Sequence, residues 1–133
     1  MLKAKDIMSA NVVSVDPDTP ITTALQLMLD RHQSGLPVID RQGHLVGIVS
    51  EFDVLDLIWD FDRINSEVYQ YMTHQVHTVD ETDDLTCVAE RFRLFGIHRL
   101  PVLRGNRVVG IVDRHDLLAR LSQIKPEALP AEA

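Results

Sequence analysis

Two short segments carry side chains whose types and spacing suit chemistry. In Gly47-Ile48-Val49-Ser50-Glu51-Phe52-Asp53 a hydroxyl stands three residues before a carboxylate. A helix starting here would offer unpaired amides to an anion, Ser50 would add a hydroxyl, and Asp53 could accept both hydroxyls of a ribose. The same spacing is close to a capping box, with Ser50 capping the helix and Asp53 reaching back to a free amide. Both readings can hold together. In Gly96-Ile97-His98-Arg99-Leu100-Pro101, His98 and Arg99 open a strand that is otherwise apolar. Arginine suits bidentate phosphate recognition, and a neighbouring histidine can donate a second bond. Strand alternation alone would place one of the two on a solvated face, with Arg99 in a surface ion pair.

No nucleophile, base and orienting group converge in the sequence, so no catalytic residue is assigned. His32, His44, His74 and His115 show no metal-ligand spacing with one another or with Cys87, and are read as surface residues. A lone cysteine makes neither an intramolecular disulfide nor a Cys-based zinc site, and Cys87 is read as partial core beside an apolar helix face. The acids Asp80-Glu81 and Asp83-Asp84 fit a helix N-terminus better than a metal cage.

The elements that must position these groups occur twice. Met8-Ser9-Ala10-Asn11-Val12-Val13-Ser14-Val15-Asp16 aligns with Met72-Thr73-His74-Gln75-Val76-His77-Thr78-Val79-Asp80, and Leu36-Pro37-Val38 with Leu100-Pro101-Val102. After a one-residue slip, Val46-Gly47-Ile48-Val49 matches Val109-Gly110-Ile111-Val112, and Asp53 matches Asp116. The chain is a tandem repeat. Val12–Val15 reads as a strand. Thr19-Pro20 predicts an N-cap and a first helical proline, followed by the apolar face Ile21, Ala24, Leu25, Met28 and Leu29. The second copy repeats this with Leu85, Val88, Ala89 and Phe92, capped from Thr82.

A hairpin follows in each copy: Leu36–Ile39 with Leu45–Val49, then two strands flanking Arg104-Gly105-Asn106, where glycine and asparagine supply positive φ. Helices from Phe52 to about Asp60 and from Arg114 to about Leu121 close the copies. The fold class is mixed α/β (α+β), each repeat strand–helix–strand–strand–helix. Repeat 1 spans residues 1–63, repeat 2 spans 64–124, and 125–133, with Pro126 and Pro130, form a frayed tail. One repeat of roughly 60 residues is marginal alone, so the two are expected to pack together.

The composition agrees with one folded domain: 133 residues, 45% hydrophobic and 25% charged, with a net charge of −7. That charge argues against sequence-independent nucleic-acid binding. Residues 1–64 hold 5 basic and 10 acidic side chains and residues 65–133 hold 8 and 10, so an anionic ligand should find positive charge mostly in the second half. No apolar run approaches the ~18 residues of a membrane span, and no apolar signal core follows Lys3 and Lys5. The expected location is the cytoplasm, without membrane association.

Over residues 5–122 the chain resembles a CBS domain pair (Bateman module). The repeated Met-x3-Val opening, the Leu-Pro-Val strand and Gly-Ile-Val-x-x-x-Asp in both copies carry the resemblance. Ser50-Glu51-Phe52-Asp53-Val54 and Ile97-His98-Arg99-Leu100 are similar to motifs of the gamma subunit of AMP-activated protein kinase. The resemblance implies two copies about a pseudo-twofold axis with adenosyl ligands in two clefts between them. One cleft would take Asp53 for the ribose and Ser50 for the phosphate end. His98 and Arg99 would hold the phosphates, and Ile48, Val76, His77 and Ile97 would surround the adenine.

The second cleft departs from the pattern, because Asp113 replaces the serine and Gln33-Ser34-Gly35 replaces Ile97-His98-Arg99. Asp116 would remain for ribose, with Asn11, Val13, Ser34 and Ile111 nearby. A carboxylate at the phosphate end is unfavourable unless a metal or Arg114 compensates. That cleft is expected to be weak, empty, or to prefer a less anionic ligand.

The resemblance implies a regulatory module, not an enzyme, that reports AMP, ADP, ATP or S-adenosylmethionine to another protein and needs no obligatory cofactor or metal. Such pairs commonly dimerise. The helix Leu55-Asp56-Leu57-Ile58-Trp59-Asp60-Phe61 is apolar on more than one face, and Leu57, Trp59 and Phe61 suit a homodimer contact. Packing against the Ile64–Tyr71 linker is the other reading. The rival function is a structural or interaction module that binds no nucleotide.

Overall fold

The computed structural model describes residues 1–123. In chain order the elements are α1 (Ala4–Ile7), α2 (Ile21–Arg31), β1 (Gly35–Ile39), β2 (Leu45–Ser50), α3 (Glu51–Leu55), β3 (Val79–Asp80), α4 (Leu85–Phe95), β4 (Arg99–Arg104), β5 (Arg107–Asp113) and α5 (Arg114–Leu121). Short 3-10 turns at Asp56–Ile58, Phe61–Arg63 and Val68–Gln70 lie between α3 and β3. The tail expected at 125–133 lies outside the described residues.

The chain forms two compact units: a central one, Val13–Val76, and a terminal one that joins Met1–Val12 to the chain from His77 onward. Sequence repeat and spatial unit are therefore offset. In the central unit β1 and β2 form an antiparallel hairpin with Leu36 opposite Val49 and Val38 opposite Gly47. Its core is Val15, Ile21, Ala24, Met28, Leu36, Val38, Val49, Val54, Leu57 and Val68. In the terminal unit β3 runs parallel to β4, and β4 pairs antiparallel with β5, Leu100 facing Val112. Ala4, Val79, Val88, Phe92, Leu100, Val102, Val112 and Leu117 form that core.

Each unit's closing strand carries the opening segment of the other sequence repeat. Ile48 and Thr73 exchange backbone hydrogen bonds of 2.9 and 2.7 Å, and Ser9 and Ile111 exchange bonds of 2.8 and 2.9 Å. A glycine lies beneath each crossing because space demands it. A Cβ on Gly47 would sit 2.7 Å from Met72 Sδ and 2.9 Å from the Thr73 carbonyl, and one on Gly110 would meet Met8 and, at 3.0 Å, the Ser9 carbonyl.

The expected strand at Val12–Val15 is reduced to one parallel bridge, Val15 with Val38. Val15 N–H donates to the Pro37 carbonyl and Ile39 N–H to the Val15 carbonyl. The rung before would need an N–H from Pro37 and the rung after one from Pro17, and proline has none. The second copy has Glu81 where Pro17 stands, and Glu81 N–H reaches the Leu103 carbonyl at 2.9 Å, which makes β3 a strand.

Several local expectations are corrected. Thr19 is bonded to Asp16 and does not cap α2; Pro20 takes the N-cap position, and Ile21 N–H is satisfied by the Ser66 carbonyl. Asp84, not Thr82, caps α4 by accepting from Cys87 N–H at 3.0 Å, while Thr82 bonds Asp80. The helix expected from Phe52 to Asp60 stops at Leu55 and tightens into a 3-10 turn, which turns Leu57 inward. Leu29, placed on the apolar face of α2, is 61% exposed. At the second hairpin Gly105 has φ +62°, but Asn106 does not adopt positive φ. Cys87 is exposed rather than partial core.

Candidate functional site

Ser50 and Asp53 form the capping box that their spacing predicts. Ser50 Oγ accepts from Asp53 N–H at 3.3 Å, and Asp53 Oδ2 accepts from Ser50 N–H at 2.8 Å and from its hydroxyl at 3.1 Å. The other carboxylate oxygen, Oδ1, accepts from the Thr73 hydroxyl at 3.3 Å. The cap thus holds a half-buried carboxylate in one orientation at the end of β2. Ile48 and Val76, the other expected site residues of the central unit, are half-buried.

The terminal unit holds His77, Ile97, His98 and Arg99. His77 stacks on Phe95, ring centroids 3.7 Å apart and 13° from parallel, and is half-buried. Ile97 packs on the core, and His98 is exposed. Arg99 begins β4 directly opposite Asp113 at the end of β5. Its side chain is 21% exposed and its Nη1 lies 3.9 Å from Asp113 Oδ2. Among the described residues its guanidinium donates no geometrically sound hydrogen bond. Burial pushes it below its ordinary pKa, and Asp113 and then Asp116 push it back up; the group stays charged.

Asp113 and Asp116 form the matching cap at α5. Asp113 Oδ1 accepts from His115 N–H at 2.8 Å, and Asp116 Oδ2 accepts from Asp113 N–H at 3.0 Å. The cation that compensates Asp113 is Arg99 rather than Arg114, which is exposed and whose backbone N–H goes to the His98 carbonyl. Residues expected in separate clefts are therefore direct neighbours within one unit. The hairpin register could have shown this, because two strands joined at Gly105-Asn106 bring 99 and 113 together. Of the remaining candidates, Ile111 is buried, Val13 half-buried, and Asn11 and Ser34 exposed.

The remaining chemistry-bearing groups are scattered. His32, His44, His74 and His115 are all exposed. No group of three or more His, Cys, Asp or Glu side chains among the described residues is placed to hold a metal ion. The Cys87 thiol is pushed up by desolvation and then by Asp84 and Asp83, which leaves little thiolate. A cavity of about 400 Å³ in the central unit is lined by Leu25, Met28, Leu29, Val54, Ile58 and Phe61 among others, and contains none of the expected ligand residues. Leu57 is 6% exposed and belongs to the core, so it is removed from the expected dimer surface; Trp59 and Phe61 remain exposed. No helix among the described residues is long and apolar enough to cross a membrane.

The CBS domain profile matches residues 4–60 and again 68–123, and the chain belongs to the CBS domain family as a tandem pair. It is similar to the crystal structure of CBSX2 in complex with AMP, with a TM-score of 0.83 and 28% identity, covering 92% of this chain and 98% of that one. It is also similar to the CBS domain pair of protein MJ0100 in complex with 5′-methylthioadenosine and S-adenosyl-L-methionine. There the TM-score is 0.81 and the identity 27%, covering 94% and 99% of the two chains. Among curated proteins, MJ1225 of Methanocaldococcus jannaschii is 27% identical over 117 residues, which is 88% of this chain and 42% of MJ1225. Two relatives that carry enzyme names are matched over 22% and 23% of their own lengths.

Proposed function

We propose that the chain is a regulatory module that binds an adenine nucleotide or a related adenosyl ligand without converting it. Arg99 carries the reading: it is a largely buried guanidinium with unused donors beside the exposed imidazole of His98. Five N–H groups in a fixed fork suit an external phosphate. The adenosyl ligands of CBSX2 and the MJ0100 pair support the ligand class. In the terminal unit His98 and Arg99 would hold phosphate, with His77 and Ile97 for a base. In the central unit Asp53 would take ribose hydroxyls and Ser50 a phosphate, with Ile48 and Val76 for a base.

Asn11, Val13, Ser34, Ile111, Asp113 and Asp116 make a weaker second set. Ligand binding would favour one conformation by its differential affinity and so report nucleotide level, an energy signal in the cytoplasm, to a partner protein.

Thermal unfolding of nucleotide-stripped protein with AMP, ADP, ATP or S-adenosylmethionine, each near 1 mM, tests this. A ligand at about 100 times its Kd adds about 2.7 kcal/mol, a shift of several degrees. The shift should vanish in Arg99→Ala. No shift with any of the four overturns the proposal.

A second reading, an interaction module without nucleotide, is favoured by one observation. Phe52, Ile58, Trp59 and Phe61 are each exposed by two thirds or more. Such a surface suits a second copy or another partner. Sedimentation of the chain and of Trp59→Ala separates the two: a dimer lost with Trp59, without nucleotide shifts, would put this reading first.

A further inference from the structure

The two hairpins differ in charge where the start of the first strand faces the end of the second. In the central unit Gly35 faces Ser50 and neither is charged, whereas in the terminal unit Arg99 faces Asp113. Asp113 is not free to turn away, because its Oδ1 is held by the amide of His115 as part of the α5 cap. That fixes Oδ2 toward the guanidinium at 3.9 Å, too far for a fork of hydrogen bonds but close enough to neutralise the charge. The side chains are 21% and 36% exposed, so the pair is only partly screened by water. Asp116 adds a second carboxylate to the field at Arg99.

We propose that Asp113 is a built-in counter-ion that competes with external anions for Arg99 and thereby sets how strongly this unit holds phosphate. The inference rests on the assignment of Arg99 as an anion-holding residue. Asp113 keeps the guanidinium compensated when no ligand is present, while leaving its hydrogen-bond donors unspent. An incoming phosphate must therefore outcompete a carboxylate already in place. Because the capped carboxylate stays in place and lowers the positive potential at Arg99, it costs a multiply charged phosphate more than a singly charged one, so affinity is biased toward the less anionic ligand.

Inorganic pyrophosphate, which carries no adenosyl part, is the probe. Calorimetric titration compares the unaltered chain with Asp113→Asn, which keeps the side-chain shape, and Asp113→Ser, which installs the residue found at the equivalent place in repeat 1. Both should bind pyrophosphate about tenfold more tightly than the unaltered chain. The gain should vanish when Arg99→Ala is added. Unchanged or weaker binding in both variants, each melting cooperatively, overturns the inference. So does a gain that survives Arg99→Ala. AMP, ADP, ATP and S-adenosylmethionine titrated into the unaltered chain report separately on the proposed function. Binding of none of the four together with a pyrophosphate gain removes that reading and keeps this one; binding of any of them without the gain does the reverse.

Discussion

Replacing Gly47 with alanine tests the crossing at which the second repeat's opening segment lies on β2. The added methyl would stand 2.7 Å from Met72 Sδ and 2.9 Å from the Thr73 carbonyl oxygen. The thioether can swing aside, but the carbonyl is fixed by the Ile48 N–H bond of 2.9 Å, whose return bond is 2.7 Å. Overpacking of this kind costs about 1–3 kcal/mol, and loosening one of the two bonds about 1 kcal/mol more. Restricting the unfolded chain gives back about 0.5 kcal/mol, since Gly47 does not need positive φ. The net expectation is a loss of about 1.5–3.5 kcal/mol, or roughly 5–14 °C in Tm for a chain of this length. Thermal unfolding followed by circular dichroism measures it. Met72→Ala in the Gly47→Ala background should recover part of the loss, because the sulfur contact disappears and the carbonyl contact stays. A Gly47→Ala protein melting within 1 °C of the unaltered chain, by the measure of roughly 4 °C per kcal/mol, would refute the crossing.

Three further outcomes are expected. Leu57→Ala should destabilise by about 2–5 kcal/mol, because Leu57 lies in the central core, while Trp59→Ala should stay within about 0.5 kcal/mol of the unaltered chain; denaturant titration of both checks the inward turn after Leu55. His32 ends α2 with φ +53°, where its counterpart Gly96 has φ +59°. His32→Gly should therefore raise stability, by up to about 1 kcal/mol, and a lower midpoint would refute the strain. Hydrogen bonds from Arg104, at 2.8 and 3.1 Å, hold the Glu81 carboxyl below its ordinary pKa of 4.5. A depressed carboxyl stabilises above its unfolded pKa and loses that contribution as pH falls through the folded one. The Tm difference between the unaltered chain and Arg104→Ala should thus be present at pH 7 and close as the pH drops below 4.5; a pH-independent difference would sink the argument.

Local chemistry was the readable part of this sequence. Ser50 and Asp53 three residues apart announce a capping box, and the apolar spacing of Ile21, Ala24 and Met28 announces the buried side of α2. The shortened first strand was also legible in principle, since Pro17 and Pro37 remove the N–H groups on either side of the Val15 bridge. Two features were not visible to that reading. The repeats are so alike that nothing local says whether Met8 lies over Gly47 or over Gly110, and only long-range packing decides it. The break at Leu55 is a tertiary choice too: burying Leu57 and Val54 together outweighs continuing the helix. The Arg99–Asp113 pair lies between these cases, because it follows from counting back across the hairpin.

A chain ending at residue 63 would carry a Met8 arm with no Gly110 strand to lie on, and a Gly47 strand with no Met72 arm above it. Two such half-length chains would complete each other by trading arms, and neither could do so alone. Tandem duplication then amounts to the covalent fusion of an arm-swapped homodimer. In one chain the second arm is always present, and concentration does not govern assembly. Two fused copies also need not be identical: an arginine faces an acid in one hairpin while glycine and serine face each other in the other.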